Sequence, residues 1–228
     1  MKAIFVTGTD TEAGKTVVAG LLGRFLLRKG CRVITQKWIQ TGSDNFSADI
    51  ASHLRLMGIK KDNIENYLPY ISPYTFKFAS SPHLAATLEK RRISAEKIER
   101  SFKFLQKRFN FVIVEGAGGA LVPFSRKGLI IDITKKLFLP VLLVTENKLG
   151  AINHTLLAIE AIKKRNMKII GIIFNNRNKK ANKIILKDNV EIIKKLTDEK
   201  ILGVLPYSKD KNRLYKAFVP IGNIILKG

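Results

Sequence analysis

Cysteine is almost absent from this chain: Cys31 is the only one in 228 residues. An intramolecular disulfide is therefore impossible, and a cysteine-built metal site has no ligands to draw on. Acids are scarce as well, with 18 Asp+Glu against 41 Lys+Arg and a net charge of +23. Long hydrophobic runs are missing. The longest, about Leu137 to Val144, is broken by Pro140 and falls far short of the ~20 residues a membrane-spanning helix needs. No basic-then-apolar leader with a cleavage site opens the chain, so a cytoplasmic protein without a membrane partner is expected. Histidine is also rare. His53, His83 and His154 show neither triad nor metal-ligand spacing, and each reads as a packed or surface side chain.

What is present fits one α/β domain over residues 1–228. The chain is 46% hydrophobic, and at this length roughly three quarters of the unfolded surface can be buried. The basic excess invites a nucleic-acid reading. Yet lysine (29) and isoleucine (28) are both abundant, as translation of an A+T-rich genome gives. The charges are dispersed, although Lys163 to Lys216 holds 16 basic residues against 5 acids. No arginine-rich arm or aromatic-interleaved RNA motif occurs, so no specific nucleic-acid partner is expected. Non-specific adhesion to polyanions at low salt follows from charge alone.

Strand-like and helix-like segments alternate, which predicts a mostly parallel sheet with helices on both faces. Strands are expected at Lys2–Thr7, Arg32–Gln36, Phe111–Glu115, Pro140–Thr145, Lys168–Asn175 and Ile201–Leu205. Helices are expected at Lys15–Lys29, Phe46–Met57, Pro82–Glu89, Ser94–Arg108, Gly150–Arg165 and Lys179–Leu196. Tyr67 to Ser80, rich in aromatics and proline, reads as strand and loop. In such sheets ligands collect beyond the carboxyl ends of the strands. The polar candidates sit there: Thr7–Thr16, Lys37–Thr41, Glu115, and Asn175 with Asn176.

The segment Gly8 to Thr16 carries the strongest signal. A strand enters a glycine-bounded loop that ends Gly14-Lys15-Thr16, and a helical pattern opens directly after it. That order fits a phosphate-cradling P-loop. Backbone N–H groups and the helix dipole favour phosphate there. Lys15 is placed to reach the β/γ-phosphates, and the Thr16 hydroxyl to ligate Mg²⁺. Five residues separate Gly8 from Gly14, one more than the ordinary motif has.

The remaining candidates have ordinary alternatives. Glu115 closes the run Phe111–Val114, where a carboxylate can hold Mg²⁺ or simply end a strand. Gly116, Gly118 and Gly119 permit close approach of substrate. Lys37 could neutralise charge on a transferring phosphoryl group, or be one more solvated lysine. Asp49 could be a metal ligand, or an acid favoured near a helix N-terminus.

Taken together, these residues resemble the dethiobiotin synthetase family. The long loop Phe5 to Thr16 matches that family's P-loop, extra residue included. Further matches are Lys37 through Thr41-Gly42, Ser81–Ala86, Val114–Gly119 and Lys148–His154. The resemblance covers about Met1 to Tyr207 and implies a P-loop NTPase fold. It implies that 7,8-diaminononanoate, CO₂ and MgATP give dethiobiotin, ADP and phosphate. The route runs through a carbamate and a carbamic–phosphoric anhydride. Lys15 and Lys37 would stabilise carbamate and phosphoryl oxygens, with Thr11 beside the reacting groups and Thr41 on the diamine or carbamate. ATP would be held by Glu12, Ala13, Gly14, Lys15, Thr16 and Val17, with Gly116, Ala117 and Gly118 nearby. Thr16, Asp49 and Glu115 are the implied Mg²⁺ ligands. Asn175 and Asn176 match positions that read the adenine, with Pro206 completing the base pocket.

Gly150, Ala151, Ile152 and Asn153 open a helix whose free N–H groups suit the substrate carboxylate. In the family that helix end comes from the other subunit, so a homodimer is implied. Trp38 stands where the family usually has proline, a change expected to alter the loop near the diamine. The alternative reading is a partitioning or septum-site ATPase, whose basic surface would hold DNA or membrane. Those proteins carry a lysine near the start of the P-loop, where this chain has Thr9 and Asp10. An amidating cobyrinate synthase would need a glutaminase domain with a nucleophilic cysteine.

Overall fold

The computed structural model describes residues 3–227. β1 (Ala3–Gly8) is buried along its whole length; Lys2, expected at its start, lies outside the described residues. The strand has a layer on each side. Ala3 and Phe5 face one apolar cluster, and Ile4 and Val6 the other, as the period of two along a strand requires. Strands covered on both faces read as continuous apolar runs.

α1 (Lys15–Arg28) leaves the loop directly and lies against β1 and β5 (Phe111–Gly119). β2 (Val33–Lys37) and the short β3 (Ile39–Gln40) lead to α2 (Ala48–Met57). Ser47 caps α2: its hydroxyl accepts from the Ile50 N–H at 3.2 Å and donates to Gln40 Oε1 at 2.7 Å. The chain continues through a 3₁₀ turn (Lys61–Tyr67), α3 (Leu68–Ile71), β4 (Tyr74–Thr75), α4 (Pro82–Leu88) and α5 (Ala95–Gln106). After β5 come α6 (Ile130–Lys136), β6 (Val141–Glu146), α7 (Ala151–Lys163), β7 (Ile169–Asn175), α8 (Lys183–Leu196), β8 (Ile201–Leu205) and α9 (Lys211–Lys227). The main sheet has the order β2-β5-β1-β6-β7-β8, every pair parallel.

Three segments depart from the sequence expectation. Within Tyr67 to Ser80, expected as strand and loop, Leu68–Ile71 is helical, while Tyr74–Thr75 is a strand; Pro69 sits in the first turn of α3, where a missing N–H costs nothing. α6 was not expected. Nor was α9, whose apolar face (Tyr215, Phe218, Ile221, Ile225) joins the core beside Phe25 of α1. Among the described residues no helix is long and apolar enough to cross a membrane.

Candidate active site

The P-loop runs from Gly8 to Thr16, and Gly14 adopts φ +102°, a left-handed conformation that a side chain would strain. Lys15 is buried, and its ammonium donates to the carbonyls of Asp10 (2.7 Å) and Thr11 (3.1 Å). Burial pulls its pKa down to about 8, with the nearby Lys37 charge acting in the same direction. The Thr11 side chain lies beside Gly118.

Register builds the centre of the site. Lys37, the last residue of β2, stands opposite Glu115 of β5. Glu115 does not end its strand as expected. β5 continues to Gly119, and Gly8 pairs across to Gly119. The glycines allow this: a Cβ at Gly116 would meet the Phe5 ring at 2.8 Å. Lys37 Nζ reaches Asp49 Oδ2 at 2.7 Å, Glu115 Oε1 at 2.9 Å and the Gly116 carbonyl at 2.8 Å. This lysine is only 4% exposed, so the solvated reading is overturned. Burial opposes its charge, but Glu115 and Asp49 outweigh that and raise its pKa. Burial likewise works against the Glu115 carboxylate, yet Lys37 and His53 hold it far below the usual carboxylate range.

Thr16 Oγ1 lies 3.1 Å from Asp49 Oδ1 and 3.0 Å from Glu115 Oε1. One hydroxyl proton thus faces two carboxylate oxygens, and Lys37 supplies the balancing positive charge. Three hard oxygen donors converging at one point fit Mg²⁺, which takes one or two carboxylates and completes its shell with water and phosphate. Among the described residues no group of three or more His, Cys, Asp and Glu is arranged to hold a metal alone. The set therefore suits a cation delivered with a phosphate-bearing ligand.

A cavity of about 400 Å³ opens over the loop. It is lined by Thr11, Glu12, Gly14, Lys15, Thr16 and Val17, and closed on the far side by Asn175, Asn176, Pro206 and Tyr207. Ala13 is buried beneath it, its carbonyl accepting from Asn175 Nδ2 at 3.0 Å. Arg177 spans the rim, donating to the Glu12 carbonyl and lying 3.2 Å from its carboxylate. A larger hollow of about 810 Å³ around His83, Arg91, Arg92 and Arg126 contains none of these loop or metal-side residues.

Other candidates stand apart. Thr41 follows β3 outside this cavity, and Ala117 is partly buried along β5. Gly150 has φ +86° and begins α7. Gly150, Ala151, Ile152 and Asn153 do not line the P-loop cavity. Of the N–H groups expected to be free there, that of Ala151 is not, since it donates to the Lys148 carbonyl at 3.1 Å. Trp38 is corrected too. Its ring packs on Phe5 with centroids 5.4 Å apart, and its N–H donates to Gln36 at 2.8 Å, so it belongs to the core rather than to the loop. The residue that sequence reasoning missed is His53, wholly buried with Nε2 2.7 Å from Glu115 Oε2. The signal was available, because His53 follows Asp49 by one helical turn and shares its face.

A family model described as AAA domain matches residues 2–213. The chain is 41% identical over 174 residues to ATP-dependent dethiobiotin synthetase BioD 2 of Haemophilus influenzae, covering 76% of this chain and 91% of that protein. It is 43% identical to ATP-dependent dethiobiotin synthetase BioD of Chlorobaculum tepidum (84% and 80% covered). With that of Thermodesulfovibrio yellowstonii it shares 35% (93% and 92% covered). The chain belongs to the dethiobiotin synthetase family. Solved structures share the fold of this chain. A plasmid partition protein from Borrelia burgdorferi bound to AMPPNP superposes at TM-score 0.64 with 16% identity, covering 99% of this chain and 98% of that one. The septum site-determining protein MinD with Mg-ADP from Pyrococcus horikoshii gives 0.60 and 17%, covering 100% and 97%. At such identity the likeness concerns the fold alone.

Proposed function

We propose that the protein, working as one P-loop unit in the cytoplasm, closes the ureido ring of dethiobiotin from 7,8-diaminononanoate and CO₂ at the expense of ATP. The observation that carries this reading is the convergence of Lys37, Thr16, Asp49 and Glu115 beneath the P-loop in a chain of this family.

In this reading one substrate amine takes up CO₂ as a carbamate. A carbamate oxygen attacks the γ-phosphorus of ATP and ADP leaves, giving a carbamic–phosphoric anhydride. The second amine attacks the carbonyl carbon, phosphate is expelled, and the ring closes. Every species along the way is anionic, so the protein's work is positioning and charge neutralisation. Lys15, partly desolvated, exchanges its loop carbonyls for phosphate oxygens. Lys37 turns from the carboxylates toward the carbamate and the transferring phosphoryl group. Thr16, Asp49 and Glu115 hold Mg²⁺, which supplies Lewis-acid neutralisation of phosphate charge. Thr11 and Gly118 border the reacting groups, Thr41 holds the diamine or carbamate, and Asn175, Asn176 and Pro206 enclose the base. The N-terminus of α7 in a second copy receives the substrate carboxylate, which makes the enzyme a homodimer. The scheme needs no histidine base: the proton released as the first amine becomes a carbamate passes to solvent, and the proton lost by the second amine as the ring closes leaves with the expelled phosphate.

The test is direct. Purified protein given ATP, Mg²⁺, bicarbonate and 7,8-diaminononanoate is expected to release dethiobiotin, detected by mass spectrometry. Absence of product together with DNA-stimulated ATP hydrolysis would replace this reading with that of a partition-type ATPase.

A further inference from the structure

Five cations from three helix ends line one hollow. Arg24 and Arg28 of α1, Arg55 of α2, and Lys209 and Lys211 where α9 begins surround a cavity of about 690 Å³. Asp210 is the one acid on its lining, and its Oδ1 already accepts from the Asn212 N–H at 2.8 Å. Among the described residues none of the five cations is in a salt bridge.

Two of the guanidinium groups are held in place. Arg24 and Arg28 stand one turn apart on α1, and both lie over the buried ring of Tyr215, 4.3 and 5.0 Å from its centre. Arg24 also donates to Asn212 Oδ1 at 2.9 Å. The ring attracts each cation, while the two like charges repel each other. Helix ends account for only part of the cluster. Arg28 and Arg55 occupy the last turns of α1 and α2, where the macrodipole favours a cation. α9 opens on the same hollow with its positive end, and its first turn holds no acid. Lys209 and Lys211 are unfavourable there. Like charge gathered in this way is relieved when an anion enters.

We propose that this hollow is a second anion site, which takes a compact polyphosphate independently of the P-loop. It shares no lining residue with the nucleotide cavity. Its volume is that of a small-ligand cleft, and arginine forks match phosphate oxygens in pairs. A nucleic-acid strand would need open aromatic faces for its bases, whereas Tyr215 is 8% exposed and lies beneath Arg24 and Arg28.

The test is calorimetry on the full chain with myo-inositol hexakisphosphate as the probe and saturating ADP in the P-loop cavity. Wild type is expected to take up one probe per chain. Arg28→Gln with Lys211→Gln removes two exposed cations from the hollow and should weaken uptake at least about tenfold, the worth of one charge-assisted hydrogen bond. Lys103→Gln with Lys107→Gln, at the end of α5, removes the same charge elsewhere and should change uptake by less than about twofold, because remote exposed charges are screened. ADP affinity should match wild type in both, since none of the four lines the nucleotide cavity. No saturable uptake by wild type, or equal losses in the two double variants, overturns the proposal. So does single-stranded DNA that binds more tightly than the probe and is lost with Arg28 and Lys211, which would make this face a nucleic-acid surface.

Discussion

His53 Nε2 stands 2.7 Å from Glu115 Oε2, and this contact divides the labour of the glutamate's two oxygens. Oε1 faces Lys37 and Thr16, while Oε2 is taken by the imidazole. His53 Nδ1 is buried without a partner. An ionised carboxylate only accepts, so Nε2 carries the hydrogen and donates to Glu115. His53→Leu removes that donor and leaves Oε2 unsatisfied. Stability is expected to fall by about 1–3 kcal/mol. Mn²⁺ affinity in the ADP complex, read by electron paramagnetic resonance, should weaken by roughly tenfold, as loss of outer-shell partners does. His53→Gln, which restores an N–H donor, should recover most of the affinity. A lowered melting temperature with unaltered Mn²⁺ affinity would reduce His53 to packing.

Lys37 is the cation that allows Asp49 and Glu115 to lie together beside Thr16. Lys37→Met keeps the stem and removes the charge. Turnover is expected to drop by at least about 10²-fold, the scale set by removing one preorganised charge-stabilising donor. ADP affinity should stay within a few-fold, because Lys37 does not line the nucleotide cavity. The same variant leaves two facing carboxylates without their ammonium, and breaking a buried pair in this way costs about 3–5 kcal/mol. Its melting temperature should therefore rise steeply with added Mg²⁺, more than that of wild type. Turnover comparable to wild type would remove Lys37 from the chemistry.

Much of this centre was legible because strand and loop chemistry is local. Gly14-Lys15-Thr16 after a buried strand announces a phosphate loop, and Ser94 and Gly30 mark helix ends by their own conformational preferences. The pairing of Lys37 with Glu115 was not legible in the same way. It depends on the register of β2 against β5, which sequence spacing does not encode. α9 was hidden for a different reason. Its solvent face is lysine-rich and Pro220 interrupts its pattern, while its apolar stripe has meaning only against α1. Trp38 was misjudged because a family substitution near a loop draws attention to the loop, whereas the indole is held by Phe5 and Gln36.

Gly14 offers a sharper test of the nucleotide cavity. Its φ of +102° is a left-handed backbone conformation, and an added Cβ would overlap Asn175 Nδ2. Gly14→Ala is expected to cost about 1–2 kcal/mol for the backbone alone. It also displaces Asn175 from the Ala13 carbonyl, so loop and base end should be disturbed together. Calorimetry should show ADP affinity falling by more than about tenfold, with tripolyphosphate affinity falling too. Wild-type ADP binding in Gly14→Ala would mean that the loop adopts another conformation when loaded.

The shared site can be tested by subunit mixing. Leu149, at the turn before Gly150, is 81% exposed, and Asn153 is exposed beside it. Neither lines the chain's own P-loop cavity, which fits a helix end that serves a neighbouring copy. Lys37→Met and a double variant, Gly150→Pro with Asn153→Asp, should each be nearly inactive when pure. The first lacks the phosphoryl-side lysine. The second alters the approach to α7 and sets a negative charge against the substrate carboxylate. Because a two-fold dimer repeats each contact, a mixed dimer would contain one site with both defects and one with neither. Random exchange of equal amounts should then restore about a quarter of wild-type dethiobiotin formation, half the dimers being mixed with one working site in two. Light scattering on the same mixture should report a dimer at micromolar concentration. Activity that stays at the level of the separate variants, with subunit exchange demonstrated by mass spectrometry, would show that each chain builds its site alone.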